Sequence, residues 1–487
     1  MQRLFITNTL TRKKEEFKPL HAPLVGLYVC GPTVYSDVHL GNCRTFMSFD
    51  MIYRYLLHLG YKVRYVRNIT DAGHLEGDRD EGDDKFAKKA KLEQVEPMEI
   101  VQKYTVGFHE VMQAFNNLPP SIEPTATGHI CEQIEMVKTI LENGFAYEKN
   151  GTVYFDVEKY SKAYNYGQLT NRKLDELLEG TRDLSGQDEK KGRLDFALWI
   201  KAKPETLMKW PSPWGWGFPG WHIECSAMSS KYLGDVFDIH GGGMDLQATH
   251  HTNEIAQSQA CKHKAPVNYW MHTNMLTVNG VRMSKSAGNG FLPHELFSGN
   301  HPLLEKGYAP MAVRFFMLQT HYSSTLDFSN EALQASEKGY ERLMDAYATL
   351  QGLSASDKGT EDIKALQQKC YEAMNDDFNT PVLIAHLFDA VRIVNSANDG
   401  KLQLTQEDIN LLNKLYHDFV FDVLGLKQNA ESSKHSAALE KVMELVIDIR
   451  AKAKQEKNFA LSDAIRDKLI AAGIQIKDGK EGSNWKV

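Results

Sequence analysis

Two short apolar runs flanking an amphipathic stretch constrain this chain most strongly. "VGLYV", residues 25–29, is apolar throughout and stops at Cys30-Gly31-Pro32, which predicts a buried strand entering a loop. From Arg44, "RTFMSFDMIYRYLLHLG" places Phe46, Phe49, Ile52, Tyr53, Leu56 and Leu57 at helical spacing, and Gly60 stands where a C-terminal cap belongs. "YKVRYVRNIT" then resumes with β-branched and aromatic residues. Strand–helix–strand in that order makes the two strands parallel neighbours, because only a crossover can join parallel strands. A parallel sheet must be covered by helices, so the class is α/β. A second such region opens at "DVFDIHGGG", 235–243.

The chain is too long for one core at 487 residues, and the pattern changes along it. "LPPSIEPTATGH", 118–129, is a proline-rich boundary, after which a helix near 130–143 and short strands such as "GTVYFDV" predict an insertion. Helical periodicity runs over 331–353, 361–375, 380–396 and 405–424. "KQNAESSKHS", 427–436, reads as a polar linker, followed by helices at 437–455 and 461–472 and two short strands about an Asp478-Gly479 turn. The net charge is −7, yet Lys434 to Val487 carries 11 Lys and Arg against 8 Asp and Glu, a local +3. Any nucleic-acid role must therefore rest on a local patch. No stretch of 18 apolar residues occurs, so a membrane partner is not expected. Six cysteines without CxxC spacing predict reduced thiols and a cytoplasmic location.

"HGGGMDLQATHHTNEIAQ", 240–257, sets Glu254 four positions after His250, on one helical face, whereas the adjacent His251 points to a neighbouring face. On spacing alone, His250 and Glu254 are half of a metal site or merely a helix-face pair. "HLGN", His39–Asn42, lies between the first strand and the first helix, and "RMSKS", Arg282–Ser286, lies between Gly280 and Gly288. A helix N-terminus offers unpaired N–H groups to phosphates, and a lysine on a glycine-flanked loop offers a mobile point charge.

Together the two segments resemble the HIGH and KMSKS signatures of class I aminoacyl-tRNA synthetases. "YVCGPTVY", "VRNITD", "PGWHIECSAM", "DIHGGGMDL", "HHTNEIAQS" and "MSKSAGN" narrow the likeness to the cysteinyl-tRNA synthetase family, from about residue 3 to Trp485. Asn42 stands where HIGH ends in histidine, and Arg282 where KMSKS begins with lysine.

The resemblance implies a Rossmann-like catalytic domain in two halves, 1–120 and 209–270, split by a connective domain at 121–208. It further implies a KMSKS-loop stem-contact region at 271–330, a tRNA-binding helical bundle at 331–426 and a small α+β anticodon-binding domain at 434–487. It makes His39 and Lys285 catalytic, and His39, Gly41, Asn42, Arg282, Ser284 and Lys285 the ATP site. It places Thr70, Trp221, His240 and Asp245 around the amino acid, and Cys30, Cys225, His250 and Glu254 around one Zn²⁺ per chain. Two thiolates, an imidazole and a carboxylate suit that ion. The expected partners are L-cysteine, ATP with Mg²⁺ and tRNA-Cys, and the expected state is a monomer. Two rivals stand beside this reading: a ligase joining cysteine to an amino sugar, which would lack the tail from 434, and a non-catalytic zinc-dependent RNA-binding protein. The acidic stretch 71–85 lacks a calcium-loop pattern and reads as a solvated loop.

Overall fold

The computed structural model describes residues 3–73, 75, 84–174, 176, 189–283, 288–428, 430–471, 474–479 and 482–486. Ser284 and Lys285, and most of the acidic stretch 71–85, lie outside the described residues. The chain divides into two compact units, Met1–Leu426 and Lys427–Val487.

Four parallel strands form the centre of the first unit: β1 (Leu24–Val29), β2 (Lys62–Arg67), β3 (Phe237–Gly243) and β4 (Val267–Thr273), in the spatial order β4-β3-β1-β2. Leu27 lies opposite both Tyr65 and Ile239, and Val29 opposite both Arg67 and Gly241. The chain thus leaves β1 toward one edge and β3 toward the other, which opens a crevice beyond the carboxyl ends of these two middle strands.

The first crossover is α1 (Leu40–His58), which starts four residues earlier than periodicity indicates. The cause is local. His39 is the N-cap, its Nδ1 accepting the Asn42 N–H at 3.3 Å while Asn42 Oδ1 accepts the His39 N–H at 3.2 Å. This is a capping box built from a histidine and an asparagine. At the other end Gly60, with φ +88°, donates its N–H to Leu57 O. α1 is buried on two sides. Phe49, Ile52, Tyr55 and Leu56 pack with the sheet and the helical bundle, while Leu40, Cys43, Phe46 and Met47 pack with Pro97–Ala114 and Pro310–Leu318. Gly241 is a necessity of this packing, since a Cβ there would sit 2.0 Å from Phe49 Cζ.

The second crossover runs from β3 through α3 (Thr252–Lys262) to β4, with α2 (Ile223–Leu233) leading into β3. The insertion carries helix Ile130–Glu142 and an antiparallel sheet in the order Ala146–Lys149, Thr152–Phe155, Phe196–Lys201, Gly215–Pro219, Trp210–Ser212. Its last two strands lie past the expected boundary at 208, because Gly215–Pro219 pairs with Phe196–Lys201 and Trp210–Ser212 folds back onto Gly215–Pro219 as a hairpin rather than forming a loop. A three-stranded sheet, Val281–Arg282, Leu276–Val278 and Leu326–Phe328, carries the approach to "RMSKS".

The bundle helices are Asn330–Gln351, Ile363–Asn375, Thr380–Asn398 and Gln406–Leu415, the last continuing as a wide-turn helix over Tyr416–Val423. The second unit holds Ala430–Gln455, Phe459–Ala471 and a hairpin of Gln475–Gly479 with Gly482–Lys486. Two expectations change here. The polar linker 427–436 is mostly helix from Ala430, because Ala, Glu and Lys sustain a helix without an apolar stripe. Asp478 and Gly479 pair with Ser483 and Gly482, so they belong to the strand and the reversal falls after them. No described helix is long and apolar enough to cross a membrane.

Candidate active site and metal centre

The carboxyl ends of the middle strands carry a dense set of donors. Cys30 follows β1 and donates its N–H to Gly241 O at 3.1 Å; His240 is in β3; Cys225 is in the first turn of α2; Glu254 is in the first turn of α3. Cys30 Sγ lies 3.8 Å from Cys225 Sγ and 3.6 Å from Glu254 Oε1. His250 Nε2 lies 3.4 Å from Cys225 Sγ and 3.2 Å from Glu254 Oε1. All four residues are buried. Ligand bonds of about 2.0–2.3 Å give a tetrahedron with edges of roughly 3.3–3.8 Å. Three of the four separations fall in that range and the fourth, His250 to Glu254 at 3.2 Å, is just below it, so the donor set fits a tetrahedral cation of zinc's size and softness.

Unlike the expectation for a plain α-helix, His251 faces the same cluster. Residues Gln247–His251 form a π-helical turn that widens the helix entry, so both adjacent imidazoles point inward. His251 Nε2 is 3.3 Å from Cys30 Sγ, which creates a second possible quartet, Cys30, His240, His251 and Glu254. Its geometry is poorer. His240 Nε2 and Glu254 Oε2 are at hydrogen-bond distance, 2.8 Å, and His251 Nε2 stands 4.0 Å from Glu254 Oε1. His251 Nδ1 is also engaged with His272 Nε2 at 2.7 Å, and His272 Nδ1 with Thr9 Oγ1 at 2.9 Å.

Burial favours the neutral forms of two thiols and two imidazoles here. It pushes the Cys30 thiol up and the Cys225 thiol up to about 11, and pushes the His251 imidazole down and that of His272 down to about 3. A divalent cation at the centre would reverse the sign for the thiols, since a coordinated thiol loses its proton.

The other expected positions fall in two groups. Thr70, Trp221 and His240 surround the cluster. Thr70 donates its hydroxyl to Glu224 Oε1 at 2.6 Å and accepts from Asn68 Nδ2 at 3.1 Å. The Trp221 ring lies 4.8 Å from the His250 ring, and His240 stacks on Trp270 at 4.4 Å. Asp245 stands apart from them, exposed on the turn Met244–Leu246 and folded back toward Gly243. The nucleotide signatures do meet. A Cβ at Gly41 would lie 3.1 Å from Met283 Cε, so "HLGN" is packed under the start of "RMSKS". Arg282 is exposed, its carbonyl accepting from Asn289 Nδ2 at 3.3 Å.

Sequence reasoning missed Glu224, His222, His251 and His272. His222 Nδ1 sits 3.0 Å from His250 Nδ1, and Glu224 is buried beside Cys225 with burial raising its carboxyl well above the usual range. Both flank Cys225 in "WHIEC", and that proximity was the available signal. His272 carried none, since it reads as one residue of a buried strand.

A parallel sheet whose middle strands end in a donor cluster, beside a helix N-terminus covered by a second signature, defines a class I synthetase catalytic domain. The family model described as tRNA synthetases class I (C) catalytic domain matches residues 16–338, and a DALR domain model matches 369–428. The cysteine–tRNA ligase of Bacteroides fragilis is 57% identical over 485 residues, 99% of either chain, and that of Parabacteroides distasonis is 58% identical over the same share. The chain belongs to the cysteine–tRNA ligase family. A solved structure of Mycobacterium tuberculosis methionyl-tRNA synthetase in complex with methionyl-adenylate shares the fold, with TM-score 0.56 at 14% identity, covering 82% of this chain and 89% of that one.

Proposed function

We propose that this protein activates L-cysteine with ATP to cysteinyl-adenylate and pyrophosphate, then transfers cysteine to the 3′-terminal adenosine of tRNA-Cys. The observation that carries the reading is the buried quartet Cys30, Cys225, His250 and Glu254, at tetrahedral spacing in the crevice that begins one loop before the "HLGN" turn. Zn²⁺ held there would bind a substrate thiol and discriminate it from a hydroxyl, a distinction that an apolar pocket makes poorly.

The chain's own residues do the remaining work. The α1 N-terminus, with Gly41 bare of side chain, receives the phosphates of ATP, which arrives with Mg²⁺. The role of His39 includes a structural part, since its Nδ1 caps the helix that presents those N–H groups. Asn42 completes the cap, which accounts for an asparagine where the signature has histidine. Arg282, Ser284 and Lys285 are assigned to the nucleotide, with Lys285 stabilising charge on the departing pyrophosphate. Trp221, Thr70 and His240 shape the amino-acid pocket, and Asp245, exposed on the turn after β3, is assigned to the substrate ammonium. The domain roles follow the same reading: a catalytic domain from 1–120 and 209–270, the insertion as connective domain, 271–330 as the stem-contact region, 331–426 for tRNA, and 434–487 for the anticodon side. The enzyme acts as a cytoplasmic monomer.

ATP–pyrophosphate exchange measured with each of the twenty amino acids tests the reading. Exchange dependent on cysteine alone is the expected result. No cysteine-dependent exchange would leave the zinc-dependent RNA-binding alternative.

A further inference from the structure

One turn into α1, a guanidinium is buried with no carboxylate beside it among the described residues. Arg44 is 1% exposed, and no described ion pair includes it. Burial lowers it only to about 10, so it remains a cation at neutral pH. Four main-chain carbonyls hold it: Nη1 donates to Asn274 O at 3.0 Å and Met275 O at 2.7 Å, and Nη2 to His321 O at 3.3 Å and Ser324 O at 2.5 Å. Burying a charge this way is costly, so the position needs a reason beyond packing.

The four carbonyls belong to two stretches with one destination. Asn274 and Met275 lead directly into Leu276–Val278, which pairs with Val281–Arg282. His321 and Ser324 lead into Leu326–Phe328, which pairs with Leu276–Val278 from the other side. One planar fork therefore pins the starts of two adjacent strands to α1, two residues beyond the capping box. The returning chain is tied to the same helix, because Leu40 donates its N–H to Phe291 O at 3.0 Å.

We propose that Arg44 is a positioning residue for adenylate formation, holding the strand pair that launches "RMSKS" at a set height over the "HLGN" turn. This rests on the functional reading above. Arg44 touches no reactant; it sets the separation between two groups that grip the same nucleotide. Lysine keeps the charge but cannot bridge two strands with one rigid fork, so it should not restore function. A misplacement of about 1 Å at such a distance costs up to roughly a hundredfold in rate.

The test uses the full-length zinc-loaded enzyme and the variants Arg44→Lys and Arg44→Gln, with active sites titrated by cysteine-dependent adenylate burst. Cysteine-dependent pyrophosphate exchange per active site should fall at least tenfold in kcat for both, with the KM for cysteine within threefold of wild type and zinc content unchanged. Wild-type kcat per active site in folded Arg44→Lys would overturn the inference, as would failure of both variants to fold, which assigns the residue to stability alone. Absence of cysteine-dependent exchange in the wild type is a different failure, that of the functional reading itself.

Discussion

Asp50 is the carboxylate on which a buried junction turns, and Asp50→Asn should destabilise the first unit substantially. The side chain is 2% exposed. Its Oδ2 accepts from Arg54 Nε at 2.8 Å and from Arg314 Nη2, and its Oδ1 accepts from Leu118 N at 2.7 Å. Arg314, fully buried, spends its other N–H groups on Leu424 O at 2.7 Å, Phe115 O at 2.8 Å and Asn117 Oδ1 at 2.8 Å. Asparagine preserves volume but leaves two guanidinium groups facing each other without an anion. Removing one partner of a buried pair costs about 3–5 kcal/mol. Unfolding entropy near 2.1 cal/mol/K per residue, over the 426 residues of this unit, gives about 0.9 kcal/mol/K. A loss of about 4 kcal/mol therefore lowers the melting midpoint by about 4–5 °C, read by differential scanning fluorimetry. Adding Arg314→Met should destabilise less than the sum of the two single changes, since the pair shares one interaction. A midpoint within 1 °C of wild type for Asp50→Asn would refute the argument that this carboxylate carries the junction.

The metal reading predicts that Cys225→Ser and His250→Ala lose zinc and the preference for cysteine over serine, whereas His251→Ala keeps its zinc; metal analysis and exchange assays decide, and zinc lost from His251→Ala alone would move the site to the second quartet. Lys285→Ala should lower adenylate formation by about a hundredfold or more, the equivalent of roughly 2.7–4 kcal/mol, with cysteine binding retained; unchanged exchange kinetics would remove it from the chemistry. Removing 427–487, the whole second unit, should spare cysteine-dependent exchange and strongly reduce tRNA-Cys charging; undiminished charging would show that the tail binds no tRNA.

Features governed by local periodicity were legible before any coordinates. β1, α1 and β2 follow from alternation between apolar runs and 3.6-residue spacing, and parallel pairing follows from the length of the crossover. The spacing of His250 and Glu254 was legible for the same reason, being a property of one helix. What stayed hidden depends on contacts between distant segments. His251 turns inward only because the chain enters α3 through a π turn, and nothing in "QATHHT" announces that. Gly215–Pro219 forms a strand because Phe196–Lys201 offers an edge, and Trp210–Ser212 pairs in turn with Gly215–Pro219, against their own Pro and Gly content. Arg44, Asp50, Arg54 and Arg314 read as ordinary charges in helical patterns; their burial depends on carbonyls and partners up to 368 positions away.

These hidden charges share an element with the most legible motif. α1 presents the "HLGN" cap at its first turn, Arg44 at its second and Asp50 at its middle, so the nucleotide signatures and the junction with residues 422–425 are all referenced to one rigid rod. The donor cluster is referenced differently. Cys30, His240 and Glu254 belong to the sheet and its second crossover, and the sheet meets α1 there through Gly241 against Phe49. In the proposed reading, selection of the side chain and activation of the carboxylate thus rest on different elements, joined by the ten residues from Cys30 to His39 and by the packing of α1 on the sheet. Errors in one support need not propagate to the other. A change at Arg44 or Asp50 should leave zinc content intact while altering turnover or stability, whereas a change at Gly241, where the two supports touch, should disturb both.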